Sequence, residues 1–125
     1  MFLQITDSLV TLASTNLEKI VDFYTAILSQ QPIKYIPNVY AEFQLPGIKL
    51  GIFKPKPTHQ SEFANSNQSK ISLCLEVKNL ENAIAHLSHL GYSPTGEITI
   101  ASHGQEIYIY DPDGNRIILH QGSKD

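Results

Sequence analysis

The chain repeats itself. The stretch "SLVTLASTNLEKIVDFYTAIL" from Ser8 returns as "KISLCLEVKNLENAIAHLSHLG" from Lys70, and Asn16 recurs as Asn79, 63 residues on. Both stretches read as an apolar strand, then Asn-Leu-Glu, then an amphipathic helix. A second pair follows in the same order. "YAEFQLPGIKLGIF" and "EIYIYDPDGNRIILH" are each strand, Pro-containing turn, strand, and Gly47 recurs as Gly114, 67 residues on. Two matched segments in one order restrict the chain to tandem copies of one supersecondary unit.

Local signals place the elements. Thr15-Asn16-Leu17-Glu18 reads as a capping box, with Thr15 and Glu18 each satisfying a free helix N–H. Leu17, Ile20, Val21, Tyr24, Ile27 and Leu28 then recur at helical spacing, with Phe23 beside that stripe rather than on it. Asn79 caps the second helix, whose stripe is Leu80, Ala83, Ile84, Leu87 and Leu90, and Gly91 ends it in the left-handed conformation. Strands are expected at 9–13, 33–36, 40–45 and 48–53, and again at 71–77, 97–101, 106–110 and 116–120. Each half is therefore strand, helix and three strands, a βαβββ module. The segment Lys54 to Ser69, "KPKPTHQSEFANSNQS", is polar and rich in Pro, Asn and Ser, and reads as a linker or flap. The expected organisation is a single domain over 1–125: module one at about 1–53, the linker at 54–69, module two at about 70–125.

A length of 125 residues suits one domain with a real core. The net charge of −3 argues against a nucleic-acid partner, whose phosphates need clustered Lys and Arg. No apolar run spans a bilayer, and the N-terminal stretch has no basic region before an apolar one, so neither a membrane partner nor a signal peptide is expected. The single Cys74 forms no internal disulfide, and a reducing cytoplasm is the expected location.

Two tandem βαβββ modules resemble the vicinal oxygen chelate superfamily, which contains glyoxalase I, extradiol dioxygenases, fosfomycin-resistance proteins and bleomycin-resistance proteins. The resemblance runs over nearly the whole chain. "NLEKIVDFYTAIL" is similar to that family's first-helix signature, and "DPDGNRIIL" to its last hairpin. Ser29-Gln30 departs from it, since many members have a Gly just after the helix. The resemblance implies an α+β fold in which eight strands form an open cup with the helices outside. Strand alternation then divides residues between cup and helices. Arg116, Ile118, His120, Ser72, Cys74 and Glu76 face the cup, while Ile117, Leu119, Leu73, Leu75 and Val77 face the helices. By the same rule Leu9, Thr11, Lys49, Gly51, Phe53, Glu42 and Gln44 face in, with Tyr108 and Tyr110 as the counterparts of Glu42 and Gln44.

Metal-dependent members of that family place His, Glu or Gln on the first and last strand of each half. The corresponding positions here are Leu9, Gly51, Ser72 and Ile118. None has an imidazole, carboxylate or amide, the donors that zinc or iron requires. No metal and no cofactor are expected at these positions.

The remaining cup residues suggest binding. Tyr108, Tyr110 and Phe53 stack on a planar ligand or fill the barrel. Arg116 clamps a ligand carboxylate or pairs with Glu42, Glu76 or Glu106. Glu42, Gln44 and His120 complete the candidate ligand-binding set, although a histidine at a strand end is commonly a solvated rim residue. His103 and Glu106 make either an acid/base pair or plain surface. His86 and His89 read as a solvated helix face. Cys74 reads as a small buried filler rather than a nucleophile, and Asp111-Pro112-Asp113-Gly114 as turn chemistry. The function implied is that of a metal-free, homodimeric member similar in kind to the bleomycin-resistance group, binding a small organic molecule. The alternatives are a glyoxalase- or dioxygenase-type metalloenzyme with displaced ligands, His103, Glu106 and His120, and a scaffold or regulatory protein with a vestigial cup.

Overall fold

The computed structural model describes residues 4–64 and 69–123. Its elements run β1 (Leu9–Ala13), α1 (Leu17–Leu28), β2 (Lys34–Ile36), β3 (Tyr40–Leu45), β4 (Ile48–Phe53), β5 (Leu73–Glu76), α2 (Leu80–His89), β6 (Thr99–Ala101), β7 (Gly104–Tyr110) and β8 (Arg116–Gly122). A short 3-10 helix, Pro57–Phe63, lies in the stretch expected to be an irregular linker. Residues 65–68 of that stretch lie outside the described residues.

Two compact units result, divided after Ala64. The first holds a four-stranded sheet in the order β1-β4-β3-β2, the second one in the order β5-β8-β7-β6. In each unit the outer first strand runs parallel to the last, and the remaining pairs are antiparallel. The register repeats as the sequence does. Thr11 pairs with Gly51 in the first sheet and Cys74 with Ile118 in the second. The steps from Thr11 to Cys74 and from Gly51 to Ile118 are the two sequence offsets.

Each helix packs on one face of its own sheet, α1 near β4 and α2 near β8. In the first unit Leu17, Ile20, Val21, Phe23 and Tyr24 of α1 are buried with Ala41, Phe43, Leu45, Leu50 and Ile52. Phe23 is therefore core, meeting Tyr24 edge-on at 5.1 Å; the apolar face is wide enough to take a residue beside the stripe. In the second unit α2 buries only Leu80 and Leu87, with Ile107, Ile109, Ile117 and Leu119 beneath. The parity holds: Ile117 and Leu119 are buried while Arg116, Ile118 and His120 stay partly open. Cys74 is exposed, not a buried filler, because it lies on the face that α2 does not cover.

The helix starts differ from one another. Asn79 accepts from the backbone N–H of Asn82 at 2.8 Å, as a capping residue should. The capping box at the first helix does not form. Asn16 is the N-cap and its side chain makes no capping bond. Glu18 instead accepts from the Tyr35 hydroxyl and from the Asn38 N–H, tying α1 to the turn after β2. A tertiary partner has taken the carboxylate that local pattern assigned to the cap. Gly91 has φ of +90° after α2, as its role requires. Ser29 does the same work after α1 with φ of +54°, a conformation that costs a residue with a Cβ.

Candidate functional site

Each sheet leaves one face free of its helix. On the first, β3 carries Tyr40, Glu42 and Gln44, β4 carries Lys49, Gly51 and Phe53, and β1 carries Leu9 and Thr11, as the pairings Tyr40–Phe53, Glu42–Gly51 and Gln44–Lys49 require. Most of these side chains are already engaged. Tyr40 donates to Glu42 Oε1 at 2.8 Å, and Glu42 is buried. Burial, then that hydrogen bond to a carboxylate, pushes the Tyr40 phenol up to about 12. Gln44 Nε2 donates to the Leu45 carbonyl at 2.9 Å. Lys49 pairs with Asp7 at 2.6 Å. Phe53 meets Phe63 of the 3-10 helix edge-on at 5.5 Å.

On the second sheet the free face carries Cys74 and Glu76 from β5, Glu106, Tyr108 and Tyr110 from β7, and Arg116, Ile118 and His120 from β8. Tyr108 and Tyr110 are about half exposed, at 45% and 53%. Arg116 meets none of the carboxylates expected to compete for it. Its Nε donates to Ser72 Oγ at 2.5 Å and its terminal nitrogen to the Ser69 carbonyl at 2.9 Å. Both acceptors are neutral. Among the described residues no carboxylate lies within ion-pair distance of the guanidinium. Desolvation and then the nearby Glu76 and Glu106 charges raise the Cys74 thiol above its usual range, which keeps it protonated and a poor nucleophile.

The β6–β7 end of this sheet holds a second group. His120 is not a solvated rim residue: its side chain is 14% exposed and its Nδ1 lies 2.6 Å from Glu76 Oε1. Glu76 also accepts from the Gly122 N–H at 2.7 Å. The His120 contact, then that backbone bond, hold the Glu76 carboxyl below the usual range. The His103 ring stacks on His120, with centroids 5.0 Å apart. His103 occupies a two-residue hairpin tip fixed by the Ala101–Gly104 pair. Gly104 makes that tip possible. Its φ is +144°, and a Cβ there would fall 2.1 Å from the Gln121 carbonyl oxygen. Sequence reading named His103, Glu106 and His120 but missed Gly104, the residue that brings the tip onto β8. His86 and His89 are exposed on α2, as expected.

The four positions aligned with the family's metal ligands do not fit a divalent ion. A side chain at Gly51 would begin 2.7 Å from the Tyr40 hydroxyl and 3.1 Å from Leu9 Cδ1, so that space is taken. Ser72 Oγ is occupied by Arg116. Leu9 and Ile118 have no donor atoms.

Comparison with known proteins agrees with this architecture. Residues 7–119 match the family model described as "Glyoxalase/Bleomycin resistance protein/Dioxygenase superfamily". A curated relative, the trivalent organoarsenical cleaving enzyme of Bacillus sp. (strain MD1), is 29% identical over 110 residues, covering 81% of this chain and 63% of that protein. The chain thus spans less than two thirds of that relative's length. A glyoxalase / bleomycin resistance protein from Catenulispora acidiphila superposes with a TM-score of 0.72 at 19% identity, covering 94% of this chain and 98% of that one. A bleomycin-binding protein solved in complex with bleomycin superposes with a TM-score of 0.69 at 17% identity, covering 95% and 100%. At these identities the structures show a shared fold.

Proposed function

Because the chain belongs to the Glyoxalase/Bleomycin resistance protein/Dioxygenase superfamily, we propose that it binds a small organic molecule having an anionic group beside a flat apolar part, without a metal at the family's usual positions. The free face of the second sheet is the surface assigned to this role. Arg116 carries the reading. A guanidinium held by two neutral acceptors, with Ile118 next to it on the same face, has no carboxylate partner among the described residues. A carboxylate or phosphate on a ligand would complete it with charge-assisted bonds. Tyr110 is the register partner of Arg116, and Tyr108 that of Ile118, so two half-exposed rings flank the guanidinium at the spacing of a strand. Such rings suit the planar part of a ligand. In the first sheet Glu42 and Gln44 are held by Tyr40 and a hairpin carbonyl, and Phe53 packs on Phe63, so the assignment rests on the second sheet alone.

A role in sequestering a small molecule follows, and the likeness to a bleomycin-binding protein supports the class without naming the ligand. The reading includes a homodimer of the 13.9 kDa chain, which light scattering checks directly. Its main test is a thermal-shift screen of aromatic carboxylates and phosphorylated metabolites on wild type and on Arg116→Met. Hits should raise the melting temperature of the wild type and lose roughly 2 kcal/mol of binding in the variant. Hits that stabilise both proteins equally would remove Arg116 from the site.

A further inference from the structure

The tip of the β6–β7 hairpin and the end of β8 bring together donor atoms that ligand binding at Arg116 does not use. One donor atom each from His103, Glu106 and His120 lies within 4.8 Å of the others. The backbone enforces this meeting. Glu106 and His120 are register partners, and Glu76 is the partner of His120 on its other side. Gly104 closes the tip onto β8, and the His103 carbonyl accepts from the Ser123 N–H at 3.1 Å.

The protonation pattern follows from these contacts. Glu76 Oε1, 2.6 Å from His120 Nδ1, accepts a hydrogen bond from the ring N–H placed there. That leaves Nε2 with its lone pair. Nε2 is buried, and among the described residues it has no hydrogen-bond partner. Buried polar atoms are paired in the great majority of folded proteins, so an orphan nitrogen beside a second imidazole and a carboxylate points to a missing partner. The Glu106 carboxylate makes no hydrogen bond or ion pair among the described residues either. A carboxylate that orients an imidazole by its far nitrogen is the usual outer support of a histidine metal ligand.

We propose that His120 Nε2, His103 and Glu106 form a binding site for a divalent transition-metal ion of the zinc or ferrous class, with Glu76 as the supporting carboxylate. Two imidazoles and one carboxylate suit such ions, whereas calcium and magnesium prefer oxygen donors alone. Metal–donor distances of about 2.0–2.2 Å require the cluster to contract, and the exposed His103 side chain supplies that movement. Three protein donors leave a coordination position for water or a ligand atom. The site is separate from the positions where the family's ligands align, since His120 lies one same-face step beyond Ile118. It shares the free face with Arg116, four residues and roughly 13 Å away along β8.

The test uses the full chain without a histidine tag, stripped by chelator and titrated with cobalt(II) and with zinc. One ion per chain is expected, with visible cobalt absorption that zinc displaces. Glu106→Gln and His103→Ala should abolish the cobalt spectrum or weaken binding strongly. Glu76→Gln, which touches no ion, should weaken binding about 10–100-fold. His86→Ala with His89→Ala, on the exposed face of α2, should change nothing. These variants carry the test even where His120→Ala fails to fold. A stoichiometry far below one, a millimolar dissociation constant, or binding that follows His86 and His89 would overturn the proposal. Arg116→Met should leave cobalt binding intact, so a failure of the ligand reading and a failure of the metal site are told apart.

Discussion

Ser29 and Tyr40 show how single side chains depart from what their neighbours in sequence suggest. Ser29 closes α1 in the left-handed region, and its N–H still bonds the Ala26 carbonyl at 3.3 Å. Ser29→Gly should therefore stabilise the chain by about 1 kcal/mol in a denaturant melt, because it relieves the Cβ cost without changing the cap. Tyr40 carries a pH dependence. Its folded-state pKa is raised to about 12, above the ordinary value near 10. The stability it contributes is fully present below about pH 10 and is lost as the pH rises through about 12. Tyr40→Phe should flatten that alkaline limb, measured by denaturation at a series of pH values. Its Glu42 partner was visible in the sequence only as a residue of the right parity. The Tyr40 hydroxyl was not, because it reaches over Gly51, a contact that no local pattern encodes.

At the scale of elements the two helices test what repetition means. The sequences around Asn16 and Asn79 look alike, yet only Asn79 caps with its side chain. Asn79→Ala should cost about 1 kcal/mol and Asn16→Ala only a few tenths, by chemical denaturation. The capping box was misread because Glu18 has a tertiary alternative in Tyr35 and Asn38, about twenty residues away. Strand parity was read well, because the period of two is set by covalent geometry and no bulge interrupts β7 or β8. The candidate site was legible to the same extent. Parity placed Arg116, Tyr108 and Tyr110 on one face. It could not show that Arg116 finds serine rather than glutamate, nor that His120 is drawn under Glu76. Those outcomes depend on loop positions at Ser69 and Ser72 and on the hairpin tip, where sequence periodicity carries no information.

At the scale of the whole molecule, the repeat predicted that the two halves share one topology, and the two sheets do have the same strand order. What it did not predict is the inequality of the halves. α1 buries five side chains, two of them aromatic, while α2 buries Leu80 and Leu87 alone. Apolar burial is the main favourable term in folding, so the second unit has the thinner reserve. Amide hydrogen exchange should then be faster in α2, β7 and β8 than in α1, β3 and β4, and uniform protection across both units would contradict this. The asymmetry has a consequence for how such a protein signals occupancy. Both proposed sites lie in the half with the thinner core, the one expected to open more readily. A ligand or ion that binds only the closed form slows opening in proportion to its saturation. Occupancy would be recorded as quieter breathing of residues 70–123, while the better-packed half serves as an internal reference that barely changes.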